Sequence, residues 1–313
     1  MNLDLRPMST SQVLDRTFWL YRRNFLLFAG IAALPPALGF LGKAGIIAIS
    51  SFSNTSIDSS AGSLLAASAG GLIWLVLYAA GYALANGAGI YAVSNAHLGK
   101  ENTISAAYKA VRDRVFPILL TLILVGVIIF GLIMGAMLIS VAAGTTLGLS
   151  MSRGTGQLLA FPLIVGGIVF MVWISLRLSI AVPACVLEKT GPVDSIKRSY
   201  DLTRGTVGRL FLIFLLYGVI AVALVVVFSV PFVVVSALAK GQAAVKWQIL
   251  QQFGSFLAGT ICTPISIIAT SLVYYDQRVR KEAFDLTLMM EAIGQAPPPM
   301  AMSATAGTSD SIG

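Results

Sequence analysis

FPILLTLILVGVIIFGLIMGAMLISVAA (116–143) runs its whole length without an ionisable side chain. A hydrocarbon core of about 30 Å takes about 20 helical residues to cross, so this stretch is long enough to span a bilayer. In lipid each backbone N–H and C=O must find its partner within its own segment, which makes the stretch a helix. Five more runs read the same way, at roughly 25–50, 69–95, 157–180, 208–238 and 250–275. The first is interrupted by Pro35-Pro36 and followed by Lys43. It reads as a kinked helix whose freed carbonyls are met by neighbours, or else as a shorter span ending near Gly42.

Composition supports this reading. The chain has 313 residues, 57% hydrophobic and 11% charged, with mean hydropathy +0.87. Soluble domains carry roughly 25% charged residues, so this chain could not cover a globule with polar side chains. The net charge of +8 does not indicate nucleic acid, because the basic residues fall in short bursts between apolar runs rather than on one water-facing surface. Residues 1–24 hold Asp4, Arg6, Asp15, Arg16, Arg22 and Arg23 and no apolar core, which excludes a cleaved signal peptide there. Cys185 and Cys262 stand in separate apolar contexts and read as small buried hydrophobes.

Lys and Arg orient the spans. Arg6, Arg16, Arg22 and Arg23 precede the first span, and Lys100, Lys109, Arg112 and Arg114 lie between the second and third. Lys189, Lys197, Arg198, Arg204 and Arg209 lie between the fourth and fifth, and Arg278, Arg280 and Lys281 follow the last. Only Lys43, Arg153, Lys240 and Lys246 fall on the other side, so both termini are expected in the cytoplasm.

Each basic segment resembles the others. Ser9 and Gln12 have capping-box spacing, and Leu14, Phe18 and Tyr21 share a helical face beyond them. After Asn102, Ile104, Ala107, Tyr108 and Val111 repeat at helical spacing. After Gly191-Pro192, Ile196, Tyr200 and Val207 oppose Lys197, Arg198, Arg204 and Arg209. An apolar stripe beside basic residues fits a helix lying among headgroups. The predicted fold is therefore an all-α integral membrane protein. It has six transmembrane helices plus three cytoplasmic-side amphipathic helices, in a pseudo-three-fold repeat of helix plus hairpin with units about 1–99, 100–190 and 191–286. The alternative is that basic residues merely flank each cytoplasmic span end. The tail 287–313, with Pro297-Pro298-Pro299, lacks periodicity and is expected to be disordered.

The spans hold almost no ionisable residue. Arg177 ends the fourth and reads as snorkelling to the interface, or as an inward arginine for an anionic headgroup. Asn86 is expected to bond between helices, and Gly81, Ala85, Gly89, Gly131 and Gly135 to let helices approach closely. Trp74, Trp247, Tyr274 and Tyr275 read as interfacial anchors. Pro162, Pro231 and Pro264 would suit transporter hinges but are common in membrane helices. His97 stands alone, and no nucleophile elbow, zinc helix or phosphate loop occurs in the sequence, so no catalytic residue, metal or cofactor is expected.

Leu5-Arg6-Pro7, Leu14-Asp15-Arg16 and Tyr21-Arg22-Arg23-Asn24-Phe25 combine with Val182-Pro183-Ala184, Glu188, Ser199 and Arg204-Gly205. The most specific piece is the closing stretch with Tyr274, Tyr275, Asp276, Arg278, Arg280, Lys281, Glu282, Phe284 and Asp285. Together they resemble the membrane domain of glycerophosphoryl diester phosphodiesterases and related stand-alone bacterial six-span proteins, over residues 1 to about 286. In such phosphodiesterases a soluble catalytic barrel follows; here only about 27 residues follow the motif, so the hydrolase activity is not carried over.

The expected function is thus a non-enzymatic inner-membrane protein that binds lipids, anionic phospholipids above all, or docks a cytoplasmic protein, with no nucleic-acid partner. Its candidate contacts are Arg22, Arg23, Arg112, Arg114, Arg177, Arg198, Arg204 and Arg209. At about 1 kcal/mol per basic residue near an anionic surface the set amounts to several kcal/mol. The rival readings are a small-molecule or lipid transporter or channel, and then a membrane-embedded enzyme of lipid metabolism.

Overall fold

A computed structural model describes residues 8–52, 61–97, 99–150, 153–238 and 242–282. Among these every regular element is helical: α1 (Thr10–Arg23), α2 (Phe25–Ala32), α3 (Leu34–Phe52), α4 (Ala61–His97), α5 (Ile104–Val111), α6 (Val115–Ser150), α7 (Arg153–Leu178), α8 (Ala181–Leu187), α9 (Pro192–Thr203), α10 (Val207–Leu238) and α11 (Gln242–Glu282). A single 3-10 turn, Arg112–Arg114, joins α5 to α6. Among the described residues five helical segments are long and apolar enough to cross a membrane, or six if α2 and α3 count as one broken span. The tail 287–313, together with Phe284 and Asp285 of the closing motif, lies outside the described residues.

The bend between α2 and α3 is 42°. Pro35 and Pro36 carry no N–H, so the carbonyls one turn earlier lose their helical partners. Tyr108 Oη donates to the Ile31 carbonyl at 2.7 Å and replaces one of them. The kink expected from Pro35-Pro36 is therefore present, and α5 is what supports it.

Helices α6 and α7 form one extended antiparallel hairpin and α10 and α11 another. At 41 residues α11 is about 60 Å long, roughly twice a hydrocarbon core, so it is too long to lie wholly within one. It packs against α1, α2, α3, α4, α8 and α9 as well as α10. The compact core gathers at the end of the bundle where α1 sits, around Val13, Leu20, Phe28, Ile90, Ile180, Leu202, Leu210, Ile268, Leu272 and Tyr274. Towards the other end α4, α6, α7 and α10 present Leu72, Val76, Met137, Leu138, Val169 and Val227 outward. Lipid tails are as apolar as these side chains, so that exposure carries no penalty in a bilayer.

The three amphipathic helices form, two of them on faces other than those expected. Ser9 caps α1 through the expected box: its hydroxyl accepts from Gln12 N–H at 3.3 Å and Gln12 Oε1 accepts from Ser9 N–H at 2.7 Å. The buried stripe of α1 is Val13, Thr17, Leu20 and Tyr21, with Leu14 and Phe18 half-buried beside it. Thr17 can be buried because its hydroxyl donates to Val13 O at 2.7 Å. On α9 the buried residues are Ser195, Ser199, Leu202 and Thr203, whereas Val193 and Tyr200 are exposed. Small hydroxyls face inward because α9 docks on the carbonyl end of α7. Ser199 and Thr203 donate to Arg177 O at 2.7 and 3.3 Å and satisfy an orphan helix-end acceptor.

Three smaller expectations are also revised. Tyr274 and Tyr275 are buried, not interfacial, with their hydroxyls on Glu188 and Ser94, each at 2.7 Å. Asn86 donates within its own helix, to Tyr82 O at 2.9 Å, rather than across helices. Close packing holds for Gly81 and Gly89, where an added methyl would strike Leu38 and Ile267. Gly131 and Gly135 meet open space instead.

Candidate functional site

The charged end of α11 is a lock joining five helices. Asp276 is buried; its Oδ1 accepts from Met8 N–H at 2.8 Å and its Oδ2 from Arg209 and Arg280. Both guanidiniums also donate to Met8 O, so the entry to α1 is fastened to α10 and α11 together. Beside it, Arg198 Nε meets both Glu188 oxygens at 2.9 and 3.0 Å, and its Nη2 pairs with Glu282. Arg278 reaches Glu282 at 3.1 Å and Glu188 at 3.9 Å. Burial alone would lower the Arg198 pKa, but the hydrogen bonds its guanidinium donates to Glu188 and Glu282 outweigh it and raise the value. Lys281 Nζ donates to Asp201 O and Arg204 O at 2.7 and 2.8 Å, capping the end of α9. The closing motif, as far as it is described, is thus a packing device.

That lock sorts the expected contacts. Arg198 and Arg209 are committed to protein carboxylates. Arg114 donates to Lys189 O at 2.7 Å, across to the turn after α8. Arg177 stacks on Trp173 and Tyr200, with its carbon 4.7 and 4.2 Å from the ring centroids, and donates to Tyr200 O. Arg112 lies beside Asp113 at 3.5 Å with both side chains largely exposed, a contact worth little. Arg22, Arg23 and Arg204 are exposed and have no carboxylate partner among the described residues.

Around Arg23 the surface is shaped. Trp19 on α1 is 41% exposed and carries a guanidinium on either side in sequence. Arg16, three residues before, sits 4.4 Å from the ring centroid, and Arg23, four after, 5.1 Å. Residues three and four apart share a helix face, so α1 builds this stack locally. A recess of about 650 Å³ lies against Asp15, Phe18, Trp19, Arg22 and Arg23. Trp19 also borders a pocket of about 240 Å³ lined by Arg23, Asn24, Leu27, Lys100, Glu101 and Asn102. Burial and, after it, the charge of Arg23 hold the Arg16 pKa below the ordinary arginine value. Two like charges beside one ring are relieved by an anion placed between them.

Arg16, Trp19 and Lys100 were absent from the expected contacts. The Arg-x-x-Trp-x-x-x-Arg spacing could have flagged the first two; the approach of Lys100 from the turn after α4 is visible only in three dimensions.

A family model described as a domain of unknown function (DUF7847) matches residues 8–277. No curated protein and no solved structure matches the chain.

Proposed function

The chain belongs to the DUF7847 family, whose function is open, and from that premise we propose a non-enzymatic protein of the bacterial inner membrane that binds anionic lipid headgroups on its cytoplasmic face and scaffolds there. In this reading six spans cross the bilayer with both termini in the cytoplasm. The three amphipathic helices α1, α5 and α9 each introduce a hairpin, as units of one repeat. The skew of Lys and Arg towards the α1 end supports that orientation.

The observation that carries the proposal is the Arg16–Trp19–Arg23 stack, flanked by Arg22 and Lys100 and opening on two recesses. Guanidiniums match phosphate oxygens geometrically, and an exposed tryptophan suits the headgroup level. With Arg198 and Arg209 held by carboxylates, the contacts narrow to Arg16, Arg22, Arg23 and Lys100, with Arg112 and Arg204 as outlying charges.

Native mass spectrometry of the protein released from nanodiscs of mixed phosphatidylethanolamine and phosphatidylglycerol tests this. The parent is expected to retain phosphatidylglycerol. The double variant R22Q/R23Q should weaken retention by about 1 kcal/mol per charge removed, about fivefold each. A lipid-free parent, or equal retention by the variant, rejects headgroup binding.

A further inference from the structure

A third cavity, of about 240 Å³, lies between α3, α4 and α11 at the bend made by Pro35 and Pro36. Its polar lining among the described residues is Lys43, Tyr78, Tyr82, Gln252, Ser255 and Thr263: one cation and five neutral hydrogen-bonding side chains, with no carboxylate among them. Polar and ionisable groups at membrane depth are costly and normally have a task. Some have structural ones. Trp74 beside the cavity donates to Leu38 O at 3.3 Å, and Ser255 to Gln251 O at 3.1 Å. Lys43 has no such role: it is exposed and without a carboxylate partner among the described residues. It stands 18 residues beyond the start of α2, about 27 Å along the helix and so near the far side of the bilayer.

Pro36 packs against Gly259 in the cavity wall; a methyl on Gly259 would lie 3.0 Å from the proline ring. Its apolar wall is aromatic. Phe40 and Phe256 have centroids 6.3 Å apart, and Trp74, Tyr78 and Tyr82 stack along α4 at 5.3 and 6.4 Å. At about 240 Å³ it is smaller than a drug-sized pocket of roughly 300–1,000 Å³. It can hold one headgroup or a short length of one chain, not a whole lipid.

We propose that this cleft binds the oxyanion end of a single-charged amphiphile, a carboxylate or phosphate, arriving from the leaflet opposite α1, with Lys43 as its counter-ion and Phe40 and Phe256 against the first methylenes. Electrostatics select the sign, because the described lining residues offer a cation and hydrogen-bond donors and none of them is negative. Aromatic walls beside the polar end select an amphiphile over a free ion. The site is separate from the cytoplasmic stack at Trp19, and neither reading needs the other.

The test uses the full chain in nanodiscs and palmitate bearing a diazirine near its carboxylate. After irradiation, adducts are mapped by peptide mass spectrometry. Labelling is expected on α3, α4 and α11 peptides around Phe40, Tyr78 and Phe256. Lys43→Gln should lower it about fivefold, the loss of one ion contact. Lys43→Arg should keep labelling near the parent level, and Arg23→Gln should leave it unchanged. Competition by excess phosphatidylglycerol would identify a phospholipid as the source of the oxyanion, and competition by fatty acid alone a carboxylate. Labelling equal in Lys43→Gln and parent, or abolished by inorganic phosphate alone, overturns the proposal.

Discussion

Asp276 and Arg112 illustrate how differently two charges can matter in one membrane protein. Asp276 is 1% exposed and holds two guanidiniums and a backbone N–H, whereas Arg112 sits beside Asp113 in water with 79% of its side chain exposed. Replacing Asp276 by asparagine leaves Arg209 and Arg280 facing each other without their carboxylate. Removing one partner from a buried pair costs about 3–5 kcal/mol, while an exposed pair contributes about 0–1 kcal/mol. Thermal unfolding in detergent should therefore show a large loss for Asp276→Asn and almost none for Arg112→Gln. Equal effects would mean the lock does not hold the fold. None of this ranking is visible along the chain, where both residues belong to basic clusters. Arg198 and Arg209 read as free headgroup contacts for the same reason: their partners Glu188, Glu282 and Asp276 come from other helices.

At the scale of the element, the amphipathic helices could be placed from sequence but their faces could not. The capping box at Ser9 is local chemistry, and α1 starts where that spacing puts it. Which stripe is buried depends on the neighbour. On α9 the hydroxyls of Ser199 and Thr203 dock on the carbonyl end of α7, and the larger Tyr200 remains outside, against Arg177. The bend at Pro35-Pro36 was likewise legible, since proline has no N–H to give. That Tyr108 of α5 supplies the missing donor was not. Tyr108→Phe removes that hydroxyl and leaves a buried carbonyl unsatisfied, at about 1–3 kcal/mol. The expected outcome is a lowered midpoint of thermal unfolding together with faster hydrogen exchange around Ile31. An unchanged midpoint and exchange rate would mean water or a neighbour serves the carbonyl equally well.

Across the whole molecule the packed core sits at one end, and away from it Leu72, Met137, Val169 and Val227 of α4, α6, α7 and α10 stand exposed. In the proposed orientation that packed end faces the cytoplasm, which cysteine accessibility can check. Cys185 and Cys262 are buried and are first replaced by alanine. In intact cells a membrane-impermeant maleimide should then label Lys43→Cys but reach Arg112→Cys only after the membrane is opened. The reverse pattern would overturn the orientation and with it both proposed leaflets. Hydropathy and charge bias are sums over contiguous residues, so the sequence by itself determined the helical membrane class, the approximate position of each span and the expected side of each loop. Which arginines are free, which face of α9 is buried and where a polar cleft opens were decided only by tertiary structure. Those depend on meetings such as Met8 with Asp276, 268 residues apart, and no local sum contains a contact at that distance.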